Sequence, residues 1–316
     1  MENIKEPLKT PIVIKNILPS LALLTAATLW GGSFVGTRAA LRSLDPMALM
    51  WIRMMIALVV ILPFIGKLKP EKYKKGDWRL LLPMVIFQPC LYFLLESNAL
   101  RLTTSTQAGV ISAAVPVLVS LGAWFFLSES INKITISGLV LSVGGVIFLT
   151  ISQGTESLAE NPILGNSMEA LAMVFAASNM LLIKKLSSRY NSLTLTAMQI
   201  IAGALFFSPG LISLTKMDNS LWTVDLILIL LFMGVFVSLG AFGLYNWGMS
   251  HLPASKASAF INLVPVTAII AGWVILGESL NFRQSLAAIV VLAGVLISQR
   301  FERRKVKMNP DQNGES

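Results

Sequence analysis

Residues Ala99 to Gly145 are written a second time, without a gap, as Gly248 to Gly294. Val115-Pro116-Val117 lies 149 residues before Val264-Pro265-Val266, and Trp124, Leu127, Glu129, Ser130, Asn132 and Gly145 return at the same interval as Trp273, Leu276, Glu278, Ser279, Asn281 and Gly294. Agreement at Pro, Trp, Glu and Asn does not follow from apolar composition. A chain with this pattern folds as two related halves rather than as one irregular domain.

Composition decides what kind of halves they are. The 316 residues are 55% hydrophobic and 13% charged, with a mean hydropathy of +0.73, far too apolar for the surface of a soluble domain. Ten apolar runs fall at about 18–37, 46–66, 79–99, 106–127, 134–152, 167–185, 193–213, 225–247, 254–276 and 283–300. Each is close to the roughly 20 residues that cross a bilayer as a helix. The sixth is the weakest, interrupted by Ser167, Ser178 and Asn179. The expected fold is an all-α integral membrane protein, with ten transmembrane helices arranged as two inverted five-helix repeats.

The net charge of +9 does not indicate nucleic acid, because the basic residues sit at chain ends and in short links, as they do beside anionic lipid. With the N-terminus in the cytoplasm, only Arg38, Arg42, Arg101, Lys216 and Arg283 face outward, and Arg53 lies within a span. All other Lys and Arg, including Lys67–Lys75, Lys184, Lys185, Arg189 and the group after Arg300, then face inward. Both termini are therefore expected in the cytoplasm of a bacterial-type inner membrane. The link with Glu156 and Glu160 has no basic residue and suits the outside. No removable signal peptide is read in Met1–Asn16. Lone Cys90 excludes an internal disulfide and reads as a packed apolar residue.

The expected organisation is a cytoplasmic segment (1–17), a first repeat (18–152), an external linker (153–166), a second repeat (167–300) and a basic, then polar, cytoplasmic tail (301–316). An odd number of spans per half forces the second repeat to enter from the opposite face. Weaker echoes extend the repeat to the early spans: Pro63 with Pro209, and Ser33 with Ser178. Inverted halves place a pseudo-two-fold axis in the membrane plane, and rocking about a central cavity alternates access.

Trp30-Gly31-Gly32-Ser33-Phe34, Pro46 and Arg53 resemble the opening of the EamA-type members of the drug/metabolite transporter superfamily. Pro116, Glu129, Pro253-Ala254-Ser255, Pro265, Gly277-Glu278 and Gly294 resemble the end of each EamA repeat. The first copy departs from the pattern, with Thr103-Thr104-Ser105 where the second has Leu252-Pro253-Ala254. The resemblance implies a basket-like cavity lined by helices 1–4 and 6–9, with helices 5 and 10 at the periphery. It also implies transport of amino acids, vitamins, nucleotide-linked metabolites or cationic drugs, often outward.

Polar groups inside spans carry the expected chemistry, because the bilayer makes them expensive. Gln88, Tyr92 and Glu96, four apart, form one stripe on helix 3. Glu96 is a candidate for a cationic or amino group, or for a coupling proton; the competing reading is a hydrated acid paired with Arg101. Its repeat counterpart is Tyr245, so the fold's symmetry does not require the acid. Arg53 lies about 10 Å along helix 2 from its outer end, and an Arg53–Glu96 ion pair is geometrically available. Trp30, Ser33, Ser178, Asn179, Tyr245 and Asn262 complete the candidate cavity wall, about half of them expected to face it.

Pro116 and Pro265 interrupt helices 4 and 9 at matching depths, as hinges or fixed kinks. Glu129 and Glu278, with Ser130/Ser279 and Asn132/Asn281, read as loop and cap residues. Trp124 and Trp273 read as interface anchors.

These features exclude other classes. His251 stands in a link without an acidic partner at motif spacing, and no carboxylate cluster offers a metal site, so no enzyme is expected. No P-loop accompanies the glycines, so neither ATP nor another cofactor is expected. The expected partners are the lipid bilayer, a small-molecule substrate and a coupling proton or counter-substrate; oligomeric state has no signature. The expected function is a secondary permease for a small amphipathic metabolite such as an amino acid, working by alternating access as an exporter. The alternatives are an importer of a vitamin or amino acid, and a non-transporting receptor or scaffold.

Overall fold

The computed structural model describes residues 12–68, 74–127, 133–152, 159–252 and 257–308. Among these, every regular element is helical. Glu129, Ser130, Asn132, Glu156, Pro253, Ala254 and Ser255 lie outside the described residues, as do Lys5, Lys9, Lys69, Lys72 and Lys256 and the last residues of the tail.

Polar caps start the spans where the apolar runs begin. Asp45 accepts from the Met47 and Ala48 N–H groups, with Pro46 in the first turn, and opens α1's successor: α1 is Ile12–Ala40 and α2 is Pro46–Ile61. Helix α3, Trp78–Leu102, is kinked within Ile86–Leu91, where Gln88 leaves the helical conformation (φ −145°, ψ 118°) just before Pro89. Helix α4 has two pieces, Ser105–Ser112 and Val115–Leu127, and Thr104 caps the first. The first half closes with α5, Lys133–Ile151.

In the second half, Asn161 caps α6, Pro162–Leu186, and Asn191 caps α7, Ser192–Phe206. Pro209 follows the end of α7, before a short turn of helix at Gly210–Leu214. Thr223 caps α8, Val224–His251, which has a π-helical segment at Phe232–Ala241. A 3-10 turn at Ala259–Asn262 precedes α9, Leu263–Leu276, and α10 is Phe282–Met308. Six of these rods are long and apolar enough to cross a membrane, and four shorter apolar helices fill the remaining expected positions. The sixth expected span is an unbroken helix, because the Ser167 and Ser178 hydroxyls donate back to the Ile163 and Val174 carbonyls of their own helix.

The halves interleave. Helix α1 packs on α8 and α9 of the second half, and α6 packs on α3 and α4 of the first. The duplication extends to how helix ends are closed. Arg38, near the end of α1, donates to the Leu100 and Thr103 carbonyls at the end of α3. Lys184, near the end of α6, donates to the Met249 and Leu252 carbonyls at the end of α8, at 3.0 and 2.8 Å. These carbonyls are repeat mates at the 149-residue interval. The cations are 146 apart, a register that pairs Ser33 with Asn179 rather than with Ser178.

Helices α5 and α10 pack mainly on each other. A Cβ at Gly145 would lie 2.7 Å from Val291 Cγ2, and one at Gly294 would lie 2.6 Å from the Ser142 nitrogen. The duplicated glycines are thus the points where these two helices touch. Ile136, Val140 and Ile147 on the free side of α5 are exposed, as are Trp124 and Trp273 near helix ends. Such surface suits lipid rather than water.

Candidate functional site

A narrow cleft of about 40 Å³ lies between the halves. Three sets of repeat mates build its wall: Phe93 with Phe242, Ser112 with Ile261, and Val115 with Val264. The Phe93 and Phe242 rings meet edge-to-face, 5.9 Å between centroids. Ser112, Val115, Ile261 and Val264 border the breaks in α4 and before α9, so both breaks line the cleft. Pro116 and Pro265 stand in the first turn after each break, where the missing N–H forfeits no helical bond.

The polar wall is one-sided. Trp30, Ser33, Arg53, Gln88, Tyr92 and Glu96 come together around the cleft. Trp30 packs its ring on Phe242 and Tyr245 at 5.6 and 4.8 Å. Ser33 lends its hydroxyl to the Trp30 carbonyl at 2.7 Å. Tyr92 donates its hydroxyl to Glu96 Oε1, while Oε2 is buried without a hydrogen-bond partner. Glu96 is only 2% exposed, whereas Arg101 is exposed, so the reading of a hydrated acid at a helix end does not hold.

Arg53 is 1% exposed. Its Nε donates to Ser238 Oγ at 2.5 Å, and its guanidinium lies 4.3 Å from the centre of the Phe93 ring, a cation–π contact. Arg53 and Glu96 thus face the same cleft with different partners, and no direct ion pair joins them.

Four expected wall residues are placed elsewhere. Ser178 is bonded within α6. Asn179 donates to the Met84 and Gln88 carbonyls at 2.6 and 3.4 Å, answering backbone groups freed at the kink of α3. Tyr245 stands behind Trp30, its hydroxyl 3.3 Å from Met180 Sδ. Asn262 lies in the 3-10 turn before α9, with its Oδ1 buried and without a hydrogen-bond partner.

Gln199 and Asn246 were not singled out by the sequence. Gln199 Nε2 donates to the Gln88 carbonyl at 3.1 Å, and Asn246 donates to Gln199 Oε1 and Thr196 Oγ1. Gln199 of the second half bonds the backbone at the kink of α3, and Arg53 of the first half bonds the Ser238 hydroxyl in the π segment of α8, so polar side chains tie the halves together at both irregularities. Glu169, fully buried on α6, also escaped notice; neither of its oxygens has a hydrogen-bond partner. Its signal was present, since a carboxylate inside an apolar span is a functional candidate by default. Phe93 and Phe242 were signalled by the 149-residue interval continued six residues ahead of the duplicated stretch.

Two interleaved halves around a cleft at broken helices define a membrane transporter with duplicated repeats. The profile of the EamA-like transporter family matches residues 17–151 and 163–299, and the chain belongs to that family. It is 27% identical to the uncharacterized transporter YetK of Bacillus subtilis (strain 168), over 91% of this chain and 88% of that protein. It is 26% identical to YcxC, an uncharacterized transporter of the same organism, over 95% and 96% of the two chains. A solved crystal structure, 16% identical, superposes with a TM-score of 0.62 over 90% of this chain and 98% of its own, a likeness of fold. The protein is therefore a multi-pass membrane transporter and not an enzyme.

Proposed function

We propose that the chain is a secondary transporter that moves a small amphipathic metabolite, such as an amino acid, across the cytoplasmic membrane by alternating access, in the outward direction. The observation that carries this reading is the pair of opposite charges, Glu96 and Arg53, facing one aromatic-walled cleft with no direct ion pair between them. The Glu96 oxygen left without a partner suits an ammonium group. The Arg53 guanidinium suits a carboxylate. The Trp30, Phe93 and Phe242 rings, packed on one another, suit an apolar side chain laid against them. The helix breaks after Ser112 and before Leu263 are the places where the halves rock.

Metabolite profiling inside and outside cells tests the reading, with wild type, Glu96→Gln and empty vector compared at equal membrane expression. Wild type shifts one class of amino-bearing metabolite out of the cell, and Glu96→Gln reduces the shift at least tenfold, the loss of about 1.4 kcal/mol of binding. A shift into the cell reverses the direction. Identical profiles for wild type and vector, repeated with purified protein in liposomes over the same panel, overturn transport.

A further inference from the structure

Glu169 belongs to none of the interactions described for the cleft. Helices α3 and α6 are antiparallel, and two contacts set their register. At one end a Cβ on Gly165 would lie 3.0 Å from the Ala99 carbonyl oxygen. At the other, Asn179 donates to the Met84 and Gln88 carbonyls. Between these points Glu169 falls opposite Glu96, and the two carboxyl groups interact electrostatically. Met173, one turn further along α6, lines the cleft. Glu169 is 0% exposed and Glu96 is 2% exposed; both oxygens of the first and one oxygen of the second are without hydrogen-bond partners.

Two carboxylates in this setting cannot both be ionised. Like charges share the site, both groups are buried, and Arg53 acts on Glu96 electrostatically without a direct ion pair. The ionisable groups facing Glu169 are Glu96 and Tyr92 from α3. The end of α3 brings polar but uncharged Thr103, the first piece of α4 brings Gln107, and α8 brings Tyr245, which is engaged with Met180. No cation stands against Glu169 among the described residues.

We infer that Glu169 and Glu96 form a proton-binding site, which holds one proton between the two carboxyl groups and exchanges it for a cationic group of the substrate. The inference rests on the transport reading above. When an ammonium group settles against Glu96, the carboxyl O–H bond breaks and the proton leaves to water in the cleft. One positive charge enters and one departs, so the buried site keeps its charge. Substrate movement is thereby tied to proton movement in the opposite direction.

Infrared pH titration of the purified full-length protein tests the site without any substrate. Wild type shows the carbonyl band of a protonated carboxyl group at pH 7, and Glu169→Gln removes it. Glu96→Gln takes away the like charge and lowers the pH midpoint of the remaining Glu169 band by about one unit or more. Absence of the band in wild type, or its persistence unchanged in Glu169→Gln, overturns the proton site whatever the flux assays show. Should Glu169→Gln fail to fold, the Glu96→Gln titration decides alone, and an unmoved midpoint overturns it. Loss of transport with the band intact would instead count against the transport reading.

Discussion

At the scale of single residues, Arg53 shows how far spacing can lead. Depth along the helices brought Arg53 and Glu96 to the same cleft, but their partners are Ser238 and Phe93 for one and Tyr92 for the other. Exchanging the charges, as Arg53→Glu with Glu96→Arg, is therefore expected not to restore the stability or flux lost in the single variants. A double-mutant cycle on thermal unfolding in detergent checks this, and recovery to near wild type would establish a direct pair. Asp77, in the link before α3, gives a residue-scale prediction in pH. Burial works to raise its pKa, but the Lys74 N–H, the Tyr190 hydroxyl and the Arg189 guanidinium outweigh it and hold the carboxyl below its ordinary value. A lowered folded pKa stabilises above the unfolded value, about 3.9, and that contribution is lost as pH falls through the folded one. Wild type should lose thermal stability below about pH 4, and Asp77→Asn should flatten that slope.

At the scale of elements, the duplicated Glu acquires a role that a loop reading understated. Glu278 accepts from the Ser105 and Thr106 N–H groups and from both hydroxyls, at 2.7–3.1 Å, and so closes the N-terminus of α4 from the far half of the chain. Arg38, which also caps α3, pairs with it at 3.1 Å. Glu278→Ala leaves buried N–H groups and a largely buried guanidinium without their acceptor, an expected loss on the order of 3 kcal/mol. Glu278→Gln, which keeps one acceptor oxygen, should lose less. Unfolding in detergent reads both, and a Glu278→Ala protein that melts with wild type would remove the cap from the account of α4. The Asn281 cap was legible from its type and place: its side chain accepts from the Gln284 N–H, and Gln284 returns the bond. The π segment of α8, at the position that matches the kink of α3, was not legible, because apolar periodicity does not record which carbonyl an N–H selects.

At the scale of the molecule, the distribution of Lys and Arg sets an orientation that labelling can test. With cytoplasmic termini, Lys216→Cys should react with an impermeant maleimide in intact cells, and Lys75→Cys only after permeabilisation. Cys90 is 4% exposed and adds little background; the reverse pattern would invert the assignment. The sequence by itself determined the ten spans, the duplication and the polar stripe on α3, because bilayer thickness and helical period act on the chain locally. It also carried the family, through motifs repeated in both halves. Only the tertiary structure decided which polar groups meet across the halves. It set Glu169 opposite Glu96, gave Arg53 to Ser238, and turned Asn179 and Gln199 to the backbone of α3. The physical reason is that a buried polar group takes its nearest available partner. That choice depends on the rotation and register of helices far apart in the chain, which hydropathy does not encode.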